Sequence, residues 1–175
     1  MPYALELGFD DHAAAVVRRV WHDLEDVGIV YMARSGARPH VSVGIWDSLD
    51  RGAAEAELTR FAAEVTPLPI TLASVGFFPQ VAIFLAPTVT SELLELQAGL
   101  HRRFGRVGAA PWEHYRPGAW VPHCTLATDF TAEQFTRALE IARRVALPIA
   151  CRLVEIAIVE FRPVKQLVSR ALGGP

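Results

Sequence analysis

Apolar positions recur along this chain with two different periods. Alternating or continuous apolar runs predict strands, and recurrence every three or four positions predicts helices. Pro2 to Phe9 reads as a strand. Asp10 or Asp11 then caps a helix striped by Ala13, Val16, Val17, Val20, Leu24 and Val27, and Gly28 ends it. Val30 to Met32 fits a short strand. A turn, Arg34-Ser35-Gly36-Ala37-Arg38, leads into a strand that runs to Trp46. Ser48 or Asp50 caps a second helix with Ala54, Leu58, Phe61, Ala62 and Val65 inward, closed by Pro67. Leu68 to Phe78 and Val81 to Ala86 form a hairpin about Pro79-Gln80. A helix from Ser91 to Phe104 presents Leu93, Leu96, Leu100 and Phe104. Gly105 to Gly118 has no clear period and reads as a long loop. A strand from Trp120 to Ala127 follows, then a helix opened by the capping box Thr131/Gln134. Leu147 to Phe161 and Val164 to Ala171 close the chain as strands, with Arg162-Pro163 at their turn.

The same order of elements occurs twice. Each half runs Pro-His strand, helix, Leu-Pro-Ile, strand, turn, strand, and Leu68-Pro69-Ile70 corresponds to Leu147-Pro148-Ile149. Pro39-His40-Val41-Ser42-Val43 returns as Pro122-His123-Cys124-Thr125-Leu126, with His123 following His40 by 83 positions. On a strand, side chains two apart share a face. His40 and Ser42 therefore form a polar front, as do His123 and Thr125, each with an apolar back. The duplication predicts a single α+β domain, residues 1–175. Its two related halves carry the histidine motifs at 39–43 and 122–126, and a pseudo-two-fold between them lets the two polar fronts face one another.

Composition narrows the classes. The chain has 175 residues, 51% apolar and 21% charged, which is ordinary for a globular domain. A net charge of −2 gives no general field for nucleic acid, so any nucleic-acid partner needs a local patch. Cys124 and Cys151 sit in apolar strands as buried free thiols rather than as a disulfide or metal framework. No apolar run approaches the ~20 residues of a membrane span, and the N-terminus has no signal-peptide pattern. A cytoplasmic protein is the default expectation.

One histidine on a strand is most simply a satisfied sheet residue. Two in matching frames, each with a hydroxyl on the same face, call for a shared role. With an ordinary pKa near ~6.5, one imidazole can act as base while the other acts as acid. The hydroxyls of Ser42 and Thr125 can donate to phosphate oxygens as charge builds there. This chemistry requires no cofactor and no metal. A catalytic zinc usually takes three protein ligands, and no third stands at ligand spacing here. Symmetry leaves open which histidine is acid and which is base.

Candidate substrate contacts surround the motifs. Tyr115 and Trp120 could stack on a base, although Trp120 is equally a core residue. Arg116 and Arg38 could pair with phosphate, against the alternative of solvated turn residues. His114 lies in the long loop, and Phe77 or Phe78 could wall the cleft. His12 and His22 fall off the apolar stripe of the first helix. His101, with Arg102 and Arg103, reads as a solvated helix face.

The two His-x-Thr/Ser motifs, His40-Val41-Ser42 and His123-Cys124-Thr125, resemble those of the two-histidine (2H) phosphoesterase superfamily. The segment Arg116-Pro117-Gly118-Ala119-Trp120-Val121-Pro122-His123-Cys124-Thr125-Leu126-Ala127 is similar to the bacterial 2′-5′ RNA ligase-like and cyclic phosphodiesterase branch. The likeness runs from Tyr3 to Leu172. Ser42 departs from the commoner threonine but keeps the hydroxyl. The resemblance implies a bilobal, pseudo-two-fold α+β fold, with antiparallel sheets lining a central cleft and helices packed outside. It also implies a phosphoesterase acting on 2′,3′-cyclic phosphates or 2′-5′ linkages of RNA ends or small nucleotides, with hydrolysis favoured over the reverse ligation. The competing expectation is an RNA- or nucleotide-binding module of the same fold without turnover. Its expected marks, a lost histidine or a strongly basic cleft sequence, are missing from this chain.

Overall fold

The computed structural model describes residues 1–173. In chain order the elements are β1 (Tyr3–Phe9), α1 (Asp11–Glu25), α2 (Tyr31–Arg34), β2 (His40–Leu49), α3 (Arg51–Glu64), β3 (Leu68–Phe78) and β4 (Ala82–Pro87). They continue with α4 (Ser91–Phe104), β5 (Gly108–Pro111), a 3-10 turn (Glu113–Tyr115), β6 (Cys124–Thr128), α5 (Ala132–Ala142), β7 (Ile149–Glu160) and β8 (Lys165–Ala171). The four longer helices start at side-chain caps. Asp10 accepts from the Ala13 amide and Asp50 from the Ala53 amide, both at 3.0 Å, and Thr90 accepts from Leu93 at 3.3 Å. The capping box of Thr131 and Gln134 is formed.

The strands form one antiparallel sheet in the order β5-β2-β1-β7-β3-β4-β6, with β8 also paired to β7. Its halves match. In one half β2 pairs β1 and β1 pairs β7; in the other β6 pairs β4 and β4 pairs β3. The join is itself symmetric. Ile70 faces Cys151 and Leu72 faces Ile149, two pairings that exchange when the Leu-Pro-Ile phrases are superimposed, and Thr71 faces Ala150 at the centre. This is the pseudo-two-fold arrangement that the repeat predicts. A continuous core, including Leu5, Leu7, Val41, Val43, Leu85, Leu126 and Ile156, lies between sheet and helices.

Three expectations are corrected. Val30 to Met32 lies at a one-turn helix, Tyr31–Arg34, rather than a strand, and only its Met32 is buried. The second motif strand begins at Cys124 and not at Trp120. Gly118, at φ +89°, and Pro122 hold that approach out of the ladder. The predicted loop Gly105 to Gly118 contains β5, which pairs with the end of β2 through Trp46–Pro111, Ser48–Ala109 and Leu49–Gly108. A glycine is needed there because a Cβ at position 108 would stand 2.7 Å from both Trp46 and Leu49 side-chain atoms.

Candidate active site

The motif strands β2 and β6 lie far apart along the sheet order, yet they meet. The Trp120 indole N–H, just ahead of β6, donates to the Ser42 carbonyl in β2 at 2.9 Å. The backbone amide of His40 faces the Cys124 thiol. The sheet therefore curls until its two histidine strands flank one cleft of about 570 Å³. His40, Ser42, His123 and Thr125 all line it.

The two motifs are built alike. Beside each hydroxyl residue the ladder carries a β-bulge. The register steps from Leu5–Gly44 to Glu6–Ser42 in one half, and from Ile83–Ala127 to Phe84–Thr125 in the other. Val43 and Leu126 are thus the extra residues of matching bulges, devices that commonly re-aim side chains beside active sites. A bulge leaves backbone groups outside the ladder, and buried ones need other partners. Trp120 serves the Ser42 carbonyl, Gln97 serves that of Val43 at 3.2 Å, and Trp21 serves that of Thr125 at 3.0 Å. Gln97 also donates to the Tyr115 carbonyl at 2.7 Å, tying the 3-10 turn to β2.

Each imidazole is oriented by the backbone just ahead of its motif strand. His40 Nδ1 lies 2.6 Å from the Arg38 carbonyl, and His123 Nδ1 lies 2.7 Å from the Val121 carbonyl. A carbonyl can only accept, so Nδ1 carries the hydrogen in both rings and Nε2 is the nitrogen left for proton transfer. The surroundings of the two rings differ. Glu6 Oε1 stands 3.4 Å from His40 Nε2. His123 is enclosed by Phe78, Phe84 and Tyr115, at ring-centroid distances of 5.1, 5.2 and 6.4 Å. Burial pushes the His123 pKa below the ordinary imidazole value, outweighing its bond to Val121, and the charge of His40 lowers it further. Burial raises the Glu6 carboxyl, against the lowering influence of His40 and Arg38. It also takes the Tyr115 hydroxyl to about 12, the Cys124 thiol to about 12 and the Cys151 thiol to about 11. Tyr115 therefore keeps its proton as a donor, and the cysteines, both buried free thiols, are inert.

The structure sorts the candidate substrate contacts. Tyr115 and His114 line the cleft. Trp120 is buried, and its indole positions Ser42 instead of meeting a ligand. Arg38 turns away from the cleft to Glu155, at 2.7 Å, and to Gln166, at 2.9 Å. Arg116 is exposed and pairs with Glu113 at 3.3 Å, away from the lining. Phe78 lines the wall, whereas Phe77 packs edge-on against Phe135. The reading of His101 as a solvated residue is corrected: its ring packs 5.0 Å from Trp46, and its Nε2 is buried. Glu6 was missed. The signal was a lone carboxylate between Leu5 and Leu7 in an apolar strand, on the face it shares with Ala4 and Gly8. The cleft mouth also holds Trp112 and Phe161, ring centroids 5.8 Å apart, and Arg162. Among the described residues no three His, Cys, Asp or Glu side chains gather as a metal-binding group, and no helix is long and apolar enough to cross a membrane.

Solved structures share this fold. That of TT0787 from Thermus thermophilus superimposes with a TM-score of 0.63 at 18% identity, covering 99% of each chain. The structure of E. coli LigT complexed with 3′-AMP gives 0.59 at 16% identity, over 98% of this chain and 99% of that one. A crystal structure described as a phosphoesterase gives 0.56 at 15% identity, with 98% coverage of each chain. No curated protein sequence matches. The sequence profile of the 2′-5′ RNA ligase superfamily matches residues 9–164, which contain both motifs, their bulges and the crossing of β7, and the chain belongs to that superfamily.

Proposed function

We propose that the cleft is the active site of a metal-independent phosphoesterase that opens 2′,3′-cyclic phosphates or cleaves 2′-5′ phosphodiester linkages of small nucleotides or RNA ends. The duplicated tetrad carries this reading: two imidazoles with matched tautomers and two hydroxyls on bulged strands line a single cleft. One Nε2 takes the proton of the attacking oxygen and the other returns a proton to the leaving oxygen. Ser42 and Thr125 donate to the non-bridging oxygens, where preorganised donors are worth about 10²–10³ in rate. The two lobes act as one catalytic domain, because each supplies half of the tetrad.

The cleft favours a small substrate. Among the described residues Arg162 is its one arginine or lysine lining residue, and the remainder is largely aromatic and aliphatic. A polynucleotide track needs a succession of cations. A single phosphodiester with its base against Trp112 and Phe161 needs fewer. E. coli LigT, with the same fold, is described in complexes with 3′-AMP and with ATP, which is in keeping with a nucleotide ligand.

The test is turnover of a 2′,3′-cyclic mononucleotide, and of an oligonucleotide with a 2′,3′-cyclic end, in the presence of EDTA. Turnover should persist in chelator and fall about 10²–10⁴-fold in His40→Ala and in His123→Ala. Full activity in either variant, or loss of wild-type activity in EDTA, would sink the reading.

A further inference from the structure

The two motifs match, but their neighbours do not. Glu6 stands opposite Ser42 immediately past one bulge, and Phe84 stands opposite Thr125 immediately past the other, so the two occupy equivalent places. Glu6 meets His40, and Phe84 meets His123. The residues ahead of the Pro-His pairs differ in the same sense. Arg38 is charged and held by Glu155, whereas Val121 is apolar. The ionisable groups facing Glu6 are His40 from β2, Arg38 just before it, Glu155 from β7 and Tyr115 from the 3-10 turn. Glu155 is itself occupied by Arg38 and by the Ser169 hydroxyl, at 2.9 Å.

Resting on the phosphoesterase reading of the cleft, we propose that Glu6 is a positioning residue that breaks the pseudo-symmetry, keeping a proton at the His40 end so that His40 is the general acid and His123 the general base. Glu6 and His40 share one proton in either of two forms. A protonated carboxyl can donate to a neutral Nε2, or a carboxylate can accept from a protonated one. Burial of Glu6 opposes loss of that proton to solvent. His123 has aromatic walls and no carboxylate, which favours its neutral, proton-accepting form. In the step, water transfers a proton to His123 Nε2 as its oxygen bonds to phosphorus. The bond from phosphorus to one ring oxygen breaks, and that oxygen takes the proton from His40 Nε2. The product is a phosphomonoester, and both rings return to their starting states by proton exchange with solvent.

The assignment is tested with two substrates. Uridine 2′,3′-cyclic phosphate expels an alkoxide, which needs an acid. Thymidine 3′-(4-nitrophenyl phosphate), which has no 2′-hydroxyl, is attacked by water and expels nitrophenolate, which needs no acid, while the attacking water still needs a base. His40→Ala should lose about 10²–10⁴-fold on the first and less than about tenfold on the second, and His123→Ala should lose on both. Glu6→Gln should follow His40→Ala in kind, shift the alkaline limb of the kcat/KM profile to lower pH, and be partly rescued by Glu6→Asp. Equal losses of His40→Ala on both substrates, or recovery of His123→Ala on the nitrophenyl ester, overturn the assignment. A second readout needs no turnover. At pH 7 the ¹⁵N resonance of His40 Nε2 should move in Glu6→Gln, whose amide can neither give up nor take back the shared proton, while that of His123 stays. An unmoved His40 resonance refutes the role of Glu6 even in an active enzyme. A wild-type protein that turns over neither substrate refutes the phosphoesterase reading, and the resonance still decides where the proton sits.

Discussion

Glu6 is a carboxylate 8% exposed, and its ionisation must be visible in the stability of the fold. Burial is the leading cause of its raised pKa, so the folded chain holds this proton more tightly than the unfolded one. The stability that follows is complete below the unfolded carboxyl value of about 4.5 and is lost as pH rises through the folded value. Glutamine keeps the shape and cannot ionise. Melting midpoints over a pH series should therefore show Glu6→Gln gaining on the wild type as pH climbs above about 4.5, and parallel curves would contradict this. His123 works in the opposite sense. Its depressed pKa means that stability is present above the ordinary imidazole value of 6.5 and is lost as pH falls from there toward the folded value. Trp120 offers a third test at this scale. Trp120→Phe keeps the ring but leaves the buried Ser42 carbonyl without its donor, which should cost about 1–3 kcal/mol in denaturant melts. Because Ser42 is then less firmly placed, kcat should fall more than KM rises.

At the scale of the element, the caps of α1, α3 and α5 were legible because each depends on one side chain and a local geometry, whereas Thr90 at the start of α4 was not read. Asp10 and Asp50 both cap, but their surroundings differ. Asp50 Oδ1 accepts from Ala53 alone among the hydrogen bonds described for its side chain, whereas the second carboxylate oxygen of Asp10 also accepts from the Arg152 amide in β7, at 2.7 Å. Asp10 thus joins α1 to the strand that crosses both lobes. Asp50→Ala should cost about 1 kcal/mol, the ordinary value of a cap. Asp10→Ala should cost more, about 2–4 kcal/mol, because a strand amide loses its partner as well. Urea melts of the two variants separate these values, and equal costs would show that the link to β7 carries nothing. The strand β5 was not legible for the opposite reason. Gly-Ala-Ala-Pro has neither alternation nor β-branched residues, and its pairing depends on the space that Gly108 leaves beside Trp46 and Leu49. The one-turn helix at Tyr31 was likewise hidden, since so few residues give no period to read.

For the whole molecule, the repeat was the strongest signal because its phrases recur in the same order in both halves: it foretold that two distant strands would face one cleft. It did not disclose what breaks the symmetry. Glu6 and Phe84 come from β1 and β4, and the aromatic mouth from Trp112 just after β5 and Phe161 at the β7–β8 turn, all outside the Pro-His and Leu-Pro-Ile phrases, and only the curling of the sheet brings them to the histidines. The same global arrangement sets the electrostatics of substrate capture. The chain carries a net charge of −2, and the cleft lining includes Arg162 and the carboxylate of Glu6. Counterion release scales with the number of phosphates that cations neutralise, with a slope of about −0.7 per contact for a single strand. One arginine at the mouth should therefore give log kcat/KM against log salt a slope no steeper than about −1. Extending a 2′,3′-cyclic mononucleotide by several nucleotides should leave both the slope and kcat/KM nearly unchanged, because among the described residues no second arginine or lysine lines the cleft to meet the next phosphate. Arg162→Ala should flatten the slope toward zero while the pH profile, set by the histidines, keeps its shape. A slope that steepens with each added nucleotide would place a cationic track outside the cleft and make an RNA strand, not a small nucleotide, the substrate that this fold captures.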